Sequence, residues 1–369
     1  MDEFIIKYAK LLVHFCNEVK KGDRVIIKTS ANAKDLAEAV YEECIHAGAH
    51  VFCEFDETEN MSASFYEYSS TDQLRYIPKW HYNKLEEMDC YFEIWAEENT
   101  KSGSHCDLKK CQIRTAALSD LEEKWSEYMN SGKVRWVVCI YPTHAYAQDA
   151  EMSLSEFTDF LYRSCKLHHK NPINSWKRVK TKQQKIVNFL DTVKKIRVVA
   201  PGTDLNLTTK GRKWVNCHGH DNIPDGEVFT GPVEDSVEGH ISFNYPACFD
   251  GHEVGGVVLT FKKGEVVKAT AKKNEEFLKT ILGTDEGAKR VGEFAFGLND
   301  DIQDFTKNIL FDEKIGGTLH LALGDSYTET GAVNKSSIHW DMICDLKKDS
   351  KVYADRRIFM KNGEIVIDL

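Results

Sequence analysis

No run of about 18 apolar residues occurs anywhere in the 369-residue chain, so no membrane-spanning helix is expected. The start, Met1-Asp2-Glu3-Phe4-Ile5-Ile6, lacks a basic region followed by a long apolar stretch, so no signal peptide is expected. There is no C-x-x-C spacing among the eleven cysteines. They are scattered, several inside apolar segments such as Val51-Phe52-Cys53 and Val137-Val138-Cys139-Ile140. That pattern argues for buried, reduced thiols in a cytosolic protein rather than a disulfide framework or a thiolate metal site. His105, Cys106 and Cys111 do not make a usable ligand set. No G-x-G-x-x-G follows the first strand and no G-x-x-x-x-G-K-[ST] occurs at all, which leaves nucleotide binding without a motif. A formal net charge of -10 argues against nucleic acid as the main partner.

An apolar fraction of 42%, with 11% aromatic, places the chain among globular proteins, and its length allows two domains, each with its own core. Val25-Ile26-Ile27-Lys28 reads as a strand, Asp35 to His50 as a helix with Leu36, Val40, Cys44 and Ile45 on one face, and Val51 to Phe55 as a second strand. Strand, helix, strand in that order suggests a parallel α/β layer. Cys90 to Ile94 and Val134 to Tyr141 are further strand candidates, giving an open sheet flanked by helices. From Arg163 to Arg197 there are eleven Lys or Arg and one acid, Asp191, while Val179, Ile186, Leu190 and Val193 recur at helical spacing. Ser175 to Lys195 is therefore expected to be an amphipathic helix with a solvated basic face, joining two domains. After Ile196 strands dominate: 196–199, 204–207, 240–244, 255–261, 266–269, 318–323, 338–344 and 365–368, with one helix over Glu275 to Leu282. The expected fold is α/β (α+β overall). An N-terminal open α/β sheet domain spans 1–175, and a strand-rich C-terminal domain spans 176–369.

Two of the late strands carry three groups that do not belong in apolar surroundings. Thr318, His320 and Ala322 alternate with Leu319, Leu321 and Leu323, so His320 points away from the leucines. His339 and Asp341 are two apart and share a face if extended. Burying an imidazole or a carboxylate is costly unless something satisfies it, and a divalent cation would satisfy all three. Glu227 follows a Pro-Asp-Gly turn directly into Val228-Phe229, and Glu293 is framed by glycines and aromatics in Val291-Gly292-Glu293-Phe294-Ala295-Phe296-Gly297. Together these five offer nitrogen and oxygen donors without thiolate, a mix that suits Zn, Mn or Co. His218 and His220, in Cys217-His218-Gly219-His220-Asp221, are a weaker metal candidate, and His168-His169 belongs to the basic linker.

The stretches N-I-P-D-G-E-V-F-T, G-E-F-A-F-G-L-N, D-E-K-I-G-G-T-L-H-L-A-L-G-D-S-Y and N-K-S-S-I-H-W-D resemble, in order, the signature of the M29 metallopeptidases, the aminopeptidase T and aminopeptidase S group. Tyr141-Pro142-Thr143 and Met152-Ser153 also fit, while Gly331-Ala332 departs from an expected pair of glycines without touching a ligand. The resemblance implies metal ligands at Glu227, Glu293, His320, His339 and Asp341, and a tyrosine at the metal centre, Tyr327. It implies two divalent ions per chain, a homodimer, and short peptides with a free N-terminus as substrates. Glu227 or Glu293 would bridge the ions or take a proton from water, and Tyr327 would ligate or donate to the developing oxyanion. Glu313 and Asp325 are candidates for holding the substrate's amino group. Two rivals remain at this level. One is an iron-dependent ring-cleaving dioxygenase using only His320, His339 and Asp341; the other is a metal-stabilised binding protein without catalysis.

Overall fold

The structure is a computed structural model that describes residues 2–103, 106–249 and 251–367. His105, dismissed above as a ligand, and Asp368, expected to end the last strand, lie outside the described residues. The chain divides into two compact units: one runs to Ile173 and also takes Gly219–Pro224, and the other comprises Asn174–His218 and Asp225 onward.

In the first unit, five parallel strands are ordered His50–Phe55, Arg24–Thr29, Cys90–Trp95, Arg135–Ile140 and Asn222–Ile223. Val25, Ile27, Phe92, Ile94, Val137 and Cys139 are all buried, as expected of parallel strands covered on both faces. The helix expected from Asp35 to His50 runs Lys34–His46 and ends before Gly48, whose φ of +84° suits a residue without Cβ. Four helices between Glu59 and Asn130 have no counterpart in the sequence reading. The longest, Leu108–Asn130, buries only Leu121, so it lacks the apolar stripe that periodicity detects. Cys106 and Cys111 form a disulfide. This corrects the expectation that all the cysteines are reduced; of the other nine, six are buried.

The basic helix spans Pro172–Leu190, and from Asn174 onward it belongs to the second unit. An antiparallel sheet of eight strands is ordered Glu265–Thr270, Val258–Lys262, Glu238–Ser242, Thr203–Thr208, Lys195–Ala200, Lys351–Ala354, Arg357–Lys361 and Glu364–Ile365. A second antiparallel sheet is ordered His339–Asp345, Thr318–Gly324, Val291–Gly297, Glu227–Thr230 and Val215–Cys217. Side chains from both sheets share one core that includes Val198, Leu205, Ile241, Leu259, Phe294, Phe296, Leu319, Leu321, Leu323, Trp340 and Met342.

That core explains where the polar groups go. Strand side chains alternate, so placing Phe294, Phe296, Leu319, Leu321, Leu323, Trp340 and Met342 in the apolar layer forces Glu293, His320, His339 and Asp341 onto the opposite face. The strand Val291–Gly297 did not emerge as a strand from the sequence. It is central and buried along its whole length, so it shows no apolar-polar alternation against solvent.

Candidate metal centre

The register of the smaller sheet gathers the candidate residues. Glu293 lies opposite Ala322, which lies opposite Asp341; His320 is opposite Ala295, His339 opposite Gly324, and Glu227 opposite Gly297. Each thus has a small partner on one side, Ala295, Gly297, Ala322 or Gly324, which leaves room for the polar side chains, while His320 also faces Ile343 and Glu227 also faces Cys217. The pairing slips by one residue between Val291 and Glu293. A Cβ on Gly292 would lie 2.1 Å from the Asp325 carbonyl oxygen, so only glycine permits this bulge beside Glu293.

Glu227, Glu293 and His320 are buried, with His320 at 0% exposure; His339 and Asp341 are half-buried. The two oxygens of Glu293 face different rings. Oε1 is 3.4 Å from His320 Nε2, and Oε2 is 3.2 Å from His339 Nε2. Glu227 Oε2 also faces His320 Nε2 at 3.4 Å, and Asp341 Oδ2 faces His339 Nε2 at 3.5 Å. His339 Nδ1 is 2.9 Å from the Asp325 backbone oxygen. A carbonyl only accepts, so Nδ1 carries a proton and Nε2 is the nitrogen turned into the cluster, as is usual for a metal-ligating histidine.

These atoms converge without satisfying one another. Glu227 Oε2, Asp341 Oδ1 and both ring nitrogens of His320 are buried without a hydrogen-bond partner. Orphaned donors and acceptors in such number are costly, and the two overlapping groups Glu227/Glu293/His320 and Glu293/His339/Asp341 have the spacing to hold metal ions. The residues present therefore fit a divalent metal centre. In the metal-free site the charges lean on one another instead. Burial pushes the Glu227 carboxyl up to about 8 despite Lys314 beside it. For Glu293 burial acts in the same direction, but the His320 and His339 rings outweigh it and bring the group down to about 2. His320, which burial alone would lower, is raised to about 10 by Glu293 and Glu227.

Tyr327 stands at the edge of this cluster, 46% exposed, its ring edge-on to His339 at 5.2 Å between centroids and against Phe229 at 5.1 Å. Glu313 joins it too, grouped with His320 and Asp341. Asp325 does not: its carboxylate accepts from the Ser336 backbone and pairs with Lys335 at 3.6 Å, so its contribution is the carbonyl that orients His339. His218 Nδ1 is bonded to the Asn216 carbonyl and His220 Nδ1 to that of Cys16, and neither belongs to a metal-capable group among the described residues. The sequence reading missed two residues. Asp285 accepts from Ser336 Oγ and from the Ser337 backbone and hydroxyl, which pins the segment leading into His339. Lys314 lies wholly buried beside Glu227 and Glu313. A lysine two positions before Gly316-Gly317 gives no periodic signal of burial.

The two groups that share Glu293 offer imidazoles and carboxylates without thiolate, the donor set of a hydrolytic metal centre, while Cys217 groups only with Asp225 and Glu227. The family model described as thermophilic metalloprotease (M29) matches residues 1–365, and the chain belongs to that family, an enzyme of the metallo-aminopeptidase class. Aminopeptidase AmpS of Bacillus subtilis (strain 168) is 25% identical over 392 residues, covering 99% of this chain and 95% of its own. Aminopeptidase 2 of Geobacillus stearothermophilus is 26% identical over 91% of this chain and 90% of its own. Aminopeptidase T of Thermus thermophilus is 24% identical over 89% and 87%. The solved structure of wild-type AmpT from Thermus thermophilus superposes with a TM-score of 0.85 at 23% identity, covering 99% of both chains, which establishes the shared α/β fold. Among the described residues no helix is long and apolar enough to cross a membrane.

Proposed function

We propose that the chain removes N-terminal residues from short peptides at a centre of two divalent ions that share Glu293. The observation that carries this reading is the split of the Glu293 carboxylate, one oxygen toward His320 and the other toward His339. Glu227 and His320 would hold one ion, and His339 and Asp341 the other. Charge favours cations here: Glu227, Glu293, Glu313 and Asp341 converge on His320 and His339, and Lys314 is paired with Glu227 and Glu313. Zn, Co and Mn suit the donors equally.

When bound, such ions supply Lewis acidity, polarising a peptide carbonyl and lowering the pKa of a water from 15.7 towards about 7. The chain's own groups do the rest. Glu313, beside His320 and Asp341 and not among the ligands named above, would take the water's proton and return it to the leaving amine. The Tyr327 hydroxyl, at the open edge, is placed to donate to the oxyanion that forms on the scissile carbonyl. Tyr327→Phe removes one donor and no charge; it should lower kcat about 10²-fold with KM nearly unchanged, as checked by steady-state kinetics.

The dioxygenase reading needs only three protein ligands, and leaves Glu227 and Glu293 crowded into the same buried cluster without purpose. The binding-protein reading gives no reason for an open edge lined by Tyr327. Hydrolysis of free and N-acetylated dipeptides, after chelation and after Zn, Co or Mn is restored, tests the proposal. Metal-dependent release confined to free N-termini is expected. Equal cleavage of acetylated peptides, or none with any metal, would overturn it.

A further inference from the structure

Lys314 is the most deeply buried cation in the second unit's polar cluster, at 0% exposure. Lysine is almost never fully enclosed unless paired, because an ammonium loses its hydration there. Its main chain is fixed on both sides: the amide donates to the Phe311 carbonyl at 3.0 Å, and the carbonyl accepts from the Asn299 amide at 3.0 Å. The side chain then has one place to go. Nζ pairs with Glu313 Oε1 and lies 3.4 Å from Glu227 Oε1.

The consequence falls on Glu227. Its Oε1 is taken by Lys314, while Oε2 has no hydrogen-bond partner and faces His320 Nε2 at 3.4 Å. An ammonium against one oxygen holds the carboxylate's rotation and leaves the other oxygen turned toward the histidine. Resting on the two-ion reading above, we propose that Lys314 is a positioning residue that restricts Glu227 to a single ligating oxygen and so builds the His320 half of the centre. Lys314 does not act on substrate itself: its ammonium is enclosed and held between two carboxylates. The His339 half, made by Glu293, His339 and Asp341, has no contact with it that the geometry records.

The roles separate by counting ions. Apo-protein is titrated with Zn alone by calorimetry, with bound metal counted by elemental analysis, and Co(II) absorption reports the ligand geometry at each half. Wild type binding other than two ions per chain would remove the two-ion reading, and this proposal with it. If wild type binds two, Lys314→Met is expected to weaken one of them at least about tenfold, to leave the other within about threefold, and to change one component of the Co(II) spectrum. A merely structural lysine would weaken both sites alike, and that outcome, or two undisturbed sites, would overturn the proposal. If Lys314→Met does not fold, Lys314→Gln keeps a polar group without the charge and is read identically: selective loss of one ion supports the assignment, while retention of both or equal weakening overturns it.

Discussion

Replacing Glu293 with glutamine should abolish turnover while leaving the fold in place. Glutamine has the same shape and fits the same bulge after Gly292, so the strand pairing with Thr318–Gly324 has no reason to change. It retains one acceptor oxygen, however, and turns an amide group toward the other histidine. One of the two faces now occupied by Glu293 oxygens, at 3.4 Å from His320 or 3.2 Å from His339, would carry donors instead of lone pairs. An amide of that kind cannot join two cations. The expected loss in kcat/KM is about 10³-fold or more, on the order of 4 kcal/mol of transition-state stabilisation. Far-UV circular dichroism and steady-state kinetics on the same preparation check both halves of the statement.

The second large effect concerns the protein stripped of metal, and its sign follows from the site. Glu227 titrates at about 8 in the folded metal-free protein against 4.5 ordinarily. Between those values the folded state holds a proton that the unfolded chain has released, so stability falls as pH rises through the interval. His320 titrates at about 10 against 6.5. Its contribution is fully present below 6.5 and is lost as pH climbs through 10. Glu293, depressed to about 2, acts only at the acid end, where its stabilisation disappears as pH falls below the usual carboxylate range. Chelated protein should therefore lose on the order of a few kcal/mol between about pH 5 and about pH 9. Metal-loaded protein should behave oppositely, because the ligands must shed protons to bind. The gap in thermal midpoint between loaded and chelated samples thus widens with pH. A gap that is constant or narrows on raising pH would contradict this electrostatic picture.

Much of this was legible in the residues. The strand containing His320 announced itself through leucines at alternate positions, and the spacing of His339 and Asp341 put two donors on one face. Both segments have a buried apolar side to calibrate the alternation. Glu293 was visible only as an acid among aromatics. Its strand is enclosed throughout, and its orientation depends on a one-residue slip at Gly292 that no periodicity records. The helices between Glu59 and Asn130 went unseen because they bury little, and helix recognition rests on a buried stripe. Lys314 and Asp285 escaped for a different reason. Their meaning lies in contacts across the chain, Lys314 with Glu227 and Asp285 with Ser336 and Ser337, and a single sequence does not state which distant side chains meet. Asp325 misled in the opposite way: its carboxylate drew attention, while its backbone carbonyl orients His339.

If two ions share the Glu293 carboxylate as proposed, the number of divalent ions bound per chain in wild type and in Glu293→Gln decides it, measured by elemental analysis after reconstitution with Zn and removal of excess. Two are expected in wild type, with loss of at least one in the variant. One ion in wild type, or two retained without Glu293, would contradict it.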